Sequence, residues 1–171
     1  DHRGCGVTPG ATASDSRWLV RRLPSACALM LLASLGASAQ AQSTPDGAAL
    51  FLQHCSPCHQ PDGSGTVGLA PSLKGDHWAR LAKERSYIPT VLINGLSGPI
   101  TVNGGRFSGS MPPFGPQLDD AQLAAVANHL RKLQGAPADE AAYGVDEVTA
   151  VRQQPGSPPQ SRVKRAGLIG P

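Results

Sequence analysis

The segment Cys55-Ser56-Pro57-Cys58-His59 constrains this chain more than any other, because two thiols followed at once by an imidazole have the spacing of c-type haem attachment. Cys55 and Cys58 can form thioethers to the two vinyl groups of a haem. His59, next in the chain, can turn a ring nitrogen to the iron as an axial ligand. The order of these three side chains predicts one covalently held haem c.

Three other sites use closely spaced cysteines: a thioredoxin-like redox pair, a zinc site and a structural disulfide. A redox pair belongs in a βαβ pattern, which this sequence lacks, and a zinc site brings a second Cys or His pair at a distance. His54, Cys55, Cys58 and His59 lie within six residues. That crowding leaves little chain to wrap one tetrahedral ion, so haem attachment is the favoured interpretation.

The N-terminal part of the chain has the pattern of an export signal. Residues 1–16 are polar, Gly-rich and without periodicity, and we treat them as a non-native or unstructured leader outside the fold. Residues 17–41 combine an Arg-containing start, an apolar run over 26–35 and small residues at a cleavage site. Cleavage would leave an N-terminus near Gln40 or Gln42, and would remove Cys5 and Cys27.

This pattern predicts a periplasmic protein. The apolar run is well short of the roughly 20 residues that span a bilayer, so we expect no membrane span in the mature chain. Segment 44–135 has seven basic and six acidic residues. The net charge of this segment is therefore close to zero, whereas a nucleic-acid-binding domain is typically strongly basic. Residues 153–171 are rich in Pro, Gly and Gln, and we expect a disordered tail whose Arg162, Lys164 and Arg165 lie in solvent.

The hydrophobic spacing predicts helices at both ends of a haem domain spanning 43–135. Thr44 and Pro45 have the pattern of a helix start, and the apolar face that follows includes the first haem cysteine. One or two short helices are expected over 80–94, ending at Asn94-Gly95. Asp119 or Asp120 can cap a further helix, whose apolar positions run up to Gly135.

Between these helices, Asn103-Gly104 predicts a small hairpin over 100–107, followed by a loop that presents Met111. The domain has about 90 residues and the whole chain is 4% aromatic. Side chains alone make a marginal core at that size. We therefore expect the haem to complete the core.

Met111 is the candidate for the sixth iron position, since it is the one methionine that remains after removal of the signal. Pro112 restricts its backbone towards an extended conformation. The alternative is a methionine that merely fills a Gly/Pro-rich loop. His54 lies too close to the haem cysteines to reach the other face, and His77 and His129 fit structural positions better.

The chain resembles the small mono-haem class I cytochromes c of the bacterial periplasm. The resemblance runs from about Gly47 to Gln134 and rests on the haem motif together with these segments: Gly68-Leu69-Ala70-Pro71-Ser72-Leu73, Val91 to Gly95, Gly98 to Gly104, Met111-Pro112-Pro113 and Leu118 to Leu133. It implies an all-α, cytochrome c-like fold of three to five helices around one haem.

The resemblance also implies particular contacts. Gly47 and Phe51 would cross the helix that contains Val126 and Leu130, and the Pro71 carbonyl would accept a hydrogen bond from His59. Many relatives carry a Trp-Gly-Asn segment after that helix, which is missing from the extension over 136–152. Val148 to Arg152 still resembles their closing segment. Apart from the resemblance, Trp78 and Arg106 are candidates for contact with the haem carboxylates, and a packed indole and a solvated charge are the alternative interpretations.

The function that follows is a one-electron carrier, which makes and breaks no substrate bond and is therefore not itself an enzyme. Its partners would be a dehydrogenase or respiratory donor and an oxidase or reductase acceptor. Similar domains occur alone, or joined to copper nitrite reductases, quinoprotein dehydrogenases and oxidase subunits, so a fixed subunit is also possible. A haem-based gas sensor or small peroxidase, with Met111 absent or displaced from the iron, is the alternative from another functional class.

Overall fold

The computed structural model describes residues 44–170. Within them the chain forms seven helices: α1 (Gly47–His54), α2 (Ser56–His59), α3 (His77–Leu81), α4 (Tyr87–Asn94), α5 (Asp120–Leu133), α6 (Val145–Arg152) and α7 (Pro158–Ile169). Four short strands accompany them: β1 (Leu96–Ser97), β2 (Ile100–Val102), β3 (Gly105–Phe107) and β4 (Ser110–Met111). The predicted leader and signal, residues 1–41, lie outside the described part.

The mostly helical architecture confirms the predicted fold class, although there are more helices than the expected three to five. The helices α2 and α3 are only four and five residues long. The helices α6 and α7 follow the predicted haem domain. No helix within 44–170 has the length and apolar character required to cross a membrane.

The centre of the fold is the crossing of α1 and α5. A Cβ atom built on Gly47 would lie 2.0 Å from the carbonyl oxygen of Ala125, so the two backbones are in direct contact. Phe51 and Val126 are almost completely buried beside this contact. The predicted crossing is confirmed, and it depends on the missing side chain of Gly47.

The start of α1 differs from the prediction. Asp46, not Thr44, is the N-cap, and its carboxylate accepts hydrogen bonds from the backbone amides of Ala48 and Ala49 at 2.9 and 3.2 Å. A carboxylate at this position also interacts favourably with the positive end of the helix dipole. Pro45 therefore precedes the helix.

The other boundaries follow the sequence closely. Asp119 caps α5 in a capping box with Gln122, and α4 ends at Asn94 as expected. β2 pairs with β3 around Asn103 and Gly104, which have φ values of 48° and 78°. The unpredicted element is a second antiparallel pair, in which Leu96 of β1 lies opposite Met111 of β4.

Residues 136–152 fold back on α5 through Tyr143. The Tyr143 side chain is buried, and the guanidinium of Arg85 lies 4.6 Å from its ring centre. The amide side chain of Asn128 bonds to both the backbone N–H and the carbonyl of Tyr143, at 2.7 and 3.0 Å. Arg152 at the end of α6 bonds to Asp120. These contacts fix the extension without the Trp segment of many relatives.

The prediction of a disordered tail over 153–171 is wrong for 158–169, which form α7. Pro158 and Pro159 fall in the first turn, where proline needs no amide hydrogen bond and its fixed φ suits a helix. Ser161 and Arg165, four residues apart, are buried on one face. A high proline content suggests disorder, but the position of each proline also matters. Prolines in the first turn are compatible with a helix.

Candidate haem site

A mainly apolar cavity of about 210 Å³ lies among these elements. Its walls come from every part of the fold between α1 and α5 and from one residue of α7. Among the residues that line it are both cysteines of the motif, His59, Pro71, Met111, Trp78 and Arg165. The structure thus brings together all five site residues that the sequence predicted.

The two cysteines occupy different environments. Cys55 is buried at the junction of α1 and α2, and burial raises the pKa of its thiol to about 11. Cys58 is exposed on α2, and the two are not joined in a disulfide. A raised pKa opposes the reactive thiolate that a thioredoxin-like pair requires. The described residues also contain no group of three or more His, Cys, Asp or Glu side chains arranged to hold a metal ion.

His59 is buried and held by one hydrogen bond, between its Nδ1 and the carbonyl oxygen of Pro71 at 2.9 Å. A carbonyl oxygen only accepts, so Nδ1 carries the proton and the neutral ring keeps its lone pair on Nε2. Burial lowers the pKa of His59, partly opposed by the bond to Pro71. The ring is therefore neutral at pH 7, the form that binds a metal.

The Pro71 carbonyl is positioned by the turn that follows α2. The Gly65 amide bonds to the His59 carbonyl at 2.8 Å, and Thr66 pairs with Ala70. Gly65 has φ 81°, and a Cβ there would lie 2.6 Å from the Pro71 carbonyl carbon. A glycine is thus required both for the backbone conformation and for the close approach.

Met111 is half-buried in the same cavity, and its backbone is fixed by β1. Gly95, with φ 72°, precedes β1, and a Cβ on it would lie 2.4 Å from the Met111 carbonyl oxygen. The same atom would lie 2.9 Å from the carbonyl carbon of Pro112. Met111 therefore belongs to a short paired strand rather than to the free loop expected from the sequence.

The mainly apolar lining also includes polar side chains. Trp78 lines the cavity, and its indole Nε1 is buried without a hydrogen-bond partner among residues 44–170. Arg165 of α7 lines it too, with only 4% of the residue exposed. Arg106, the other candidate for contact with the haem carboxylates, is exposed and does not line the cavity. His129 packs against the Phe51 ring at 5.0 Å between centres, which is a structural role.

Sequence reasoning missed Arg165 because it treated residues 153–171 as a tail. The available signal was a helical pattern, with paired prolines at the start and Ser161, Arg165 and Leu168 at i, i+4 and i+7. The cavity as a whole fits a haem: it offers an apolar chamber, two thiols, an imidazole with an oriented lone pair and a thioether. Trp78 and Arg165 add donors suited to carboxylates.

Comparison with known proteins gives a consistent result. The sequence profile of cytochrome c matches residues 45–134. Cytochrome c-552 of Thermus thermophilus is 43% identical over 109 residues, which cover 63% of this chain and 71% of that protein. The cytochrome c subunit of the quinone alcohol dehydrogenase of Gluconobacter oxydans is 31% identical over 86 residues, 50% of this chain and 18% of the subunit.

A third similar protein is subunit FixP of a cbb3-type cytochrome c oxidase from Bradyrhizobium diazoefficiens. It is 29% identical over 118 residues, which cover 62% of this chain and 39% of the subunit. The likeness to the dehydrogenase and oxidase subunits therefore covers less than half of those larger proteins.

Proposed function

Because the chain belongs to the cytochrome c family, we propose that it is a periplasmic one-electron carrier with His59 and Met111 as axial iron ligands. The family consists of electron-transfer proteins, and the chain carries haem c. When bound, the haem would supply a one-electron ferric/ferrous couple between a donor and an acceptor.

Cys55 and Cys58 hold the porphyrin covalently in this proposal. The helices α1 and α2 meet at Cys55. The carbonyl oxygen of Cys55 accepts a hydrogen bond from the backbone N–H of His59 at 2.9 Å. This local geometry links the orientation of the imidazole to that of the first thiol. Covalent attachment prevents loss of the cofactor, which suits a carrier that works outside the cytoplasm.

The observation that carries the proposal is that His59 and Met111 line one cavity, with the His59 lone pair directed away from Pro71. The carbonyl of Pro71 fixes the ring and increases its basicity, as such partners do for metal-bound imidazoles. A thioether is a soft ligand, and Met ligation raises the reduction potential of c-type haem.

A carrier would also need His59 and Met111 to keep their positions in both oxidation states. The Met111 backbone is held by β1 and by contact with Gly95, so the thioether is presented from a fixed segment. This anchoring favours a carrier over the gas sensor or small peroxidase, in which the sixth ligand must leave readily.

Export and partners complete the proposal. The signal-like segment over 17–41 supports a periplasmic location, and periplasmic material should contain a haem-bearing chain that begins near Gln40 or Gln42. The likeness to dehydrogenase and oxidase subunits supports a dehydrogenase or respiratory donor and an oxidase or reductase acceptor. A permanent place in such a complex would appear as co-purification with the larger subunits.

The function is tested with Met111→Ala against His129→Asn, a control that changes an imidazole outside the cavity. Met111→Ala should lower the midpoint potential and allow carbon monoxide to bind rapidly to the reduced protein. His129→Asn should leave both properties near those of the wild type. Equal carbon monoxide binding by the wild type and Met111→Ala would show that Met111 does not hold the sixth position.

A further inference from the structure

We propose that Arg165 binds a carboxylate group of the haem, which makes α7 a part of the haem site. The inference rests on the proposed function only in that a haem occupies the cavity. It assigns a binding role to a helix that lies outside the matched cytochrome c segment, residues 45–134.

The first argument is the charge of Arg165. Its guanidinium remains protonated in proteins, and the residue is 4% exposed. The Nη2 atom of Arg165 donates a hydrogen bond to the carbonyl oxygen of Thr101 at 2.8 Å. The ion pairs within 44–170 all use other basic side chains. Arg165 therefore has no counter-anion among the described residues. Because burying an unpaired charge is costly, this arrangement indicates that an anion from outside the chain pairs with it.

The second argument is the surroundings of that charge. The indole Nε1 of Trp78, on the same cavity, is a donor that has no acceptor in the described part of the chain. Burial lowers the pKa of His77, and the nearby charge of Arg165 lowers it further. The charge of Arg165 also acts to lower the pKa of Tyr87, but burial has the larger effect and raises that pKa to about 12. The indole donor and the guanidinium without a counter-anion line the same cavity, and together they form a site for an anion.

The third argument is the chemistry of the ligand. The rest of the cavity is mainly apolar and suits the porphyrin ring, whose polar groups are its carboxylates. Arginine recognises carboxylates with parallel hydrogen bonds, which gives both affinity and orientation. The anion missing beside Arg165 is therefore supplied by the same molecule that fills the cavity.

The position of α7 is defined independently of Arg165. Arg162 lies across Gly98, where an added Cβ would be 2.9 Å from the arginine Nε. Lys164 contacts the hydroxyl of Ser86, and its Nζ is 3.4 Å from Thr90 Oγ1. Several contacts thus place the helix against α4 and β1, and they hold Arg165 at the cavity.

The test uses two substitutions of Arg165 and one matched control in the haem-loaded protein. Arg165→Gln removes the charge but keeps an amide donor for the Thr101 carbonyl. Arg165→Lys keeps the charge without the planar fork. Lys132→Gln is the control, because it removes a positive charge from an exposed position of α5 that does not line the cavity.

The readouts are the midpoint potential and the pH at which the haem carboxylate band titrates in redox-difference infrared spectra. Arg165→Gln should shift the midpoint potential downward, because a nearby cation favours the ferrous form. The carboxylate pKa should rise by about 1–3 units, the size of an arginine's effect on a neighbouring carboxyl group. Arg165→Lys should retain most of both properties, and Lys132→Gln should match the wild type.

Unchanged potential and titration in a folded Arg165→Gln would overturn the proposal, as would an equal shift in Lys132→Gln. If Arg165→Gln fails to fold, the wild-type titration decides: a carboxylate with an unperturbed pKa contradicts the proposal, and a lowered pKa retained in Arg165→Lys supports it. Failure of the proposed function is a separate result, because it would appear in the wild type as missing haem or missing Met111 ligation.

Discussion

Replacing Gly47 by Ala tests the packing of the two helices that frame the site. The new Cβ would lie 2.0 Å from the Ala125 carbonyl oxygen and 2.5 Å from its carbon, whereas ordinary contact begins near 3.4 Å. The α1 and α5 backbones must therefore separate by more than 1 Å. Overpacking of this kind costs about 1–3 kcal/mol, against about 0.5–1 kcal/mol gained from better helix propensity.

The obstacle is backbone rather than a movable side chain, so we take the overpacking cost at the upper end of its range, about 3 kcal/mol. After subtraction of the propensity gain, we expect Gly47→Ala to lower the free energy of unfolding by about 2 kcal/mol. Guanidinium titration of the haem-loaded protein, followed by circular dichroism, measures this change. Gly167→Ala is the matched control, because Gly167 lies within α7 with no atom within 4 Å of an added Cβ. It should stabilise the protein by about 0.5–1 kcal/mol. A Gly47→Ala protein as stable as the wild type would refute the close-contact argument.

Three further predictions concern the core, the Met segment and acid stability. Replacing both haem cysteines by Ala should leave a largely unfolded chain; native helix content and a cooperative melt in that variant would show that haem is not part of the core. Gly95→Ala should displace Met111 and weaken its ligation in ferric spectra, whereas Gly68→Ala, with similar positive φ but open space, should not. The hydrogen bond from Arg85 is the main cause that lowers the pKa of Glu147. This pair therefore stabilises the fold above the unfolded pKa near 4.5, and the contribution disappears as pH falls through the lower folded value. Glu147→Gln should flatten the loss of stability over that acidic range in pH-dependent unfolding, and an unchanged slope would contradict the assignment.

The parts of the fold that the sequence predicted are those set by local chemistry. Asn103-Gly104 marks the hairpin because both residues accept positive φ, and Asp119 marks α5 because it can cap the helix. The start of α1 was misplaced because Thr44 and Asp46 are both capable caps. Two-residue strands such as β4 carry no periodicity, so their pairing was not predictable from pattern.

The residues of the candidate site also fall into two groups: those that the local sequence predicted and one that tertiary packing brings to the cavity. The haem motif joins neighbours in sequence, and Met111 was identified as the methionine left after export. Arg165 reaches the cavity only through tertiary packing, and its partner Thr101 is 64 residues away. No local pattern states that distance. The helix that contains Arg165 also begins with two prolines, and the Pro-rich composition of this segment suggested disorder.

The most direct test of the account is the absorption spectrum of the oxidised wild-type protein in the near infrared. Ligation by His59 and Met111 predicts a low-spin ferric haem with the weak near-infrared band of sulfur-to-iron bonding, and slow binding of carbon monoxide after reduction. Absence of that band, together with rapid binding of carbon monoxide, would contradict Met111 ligation and favour the sensor or peroxidase.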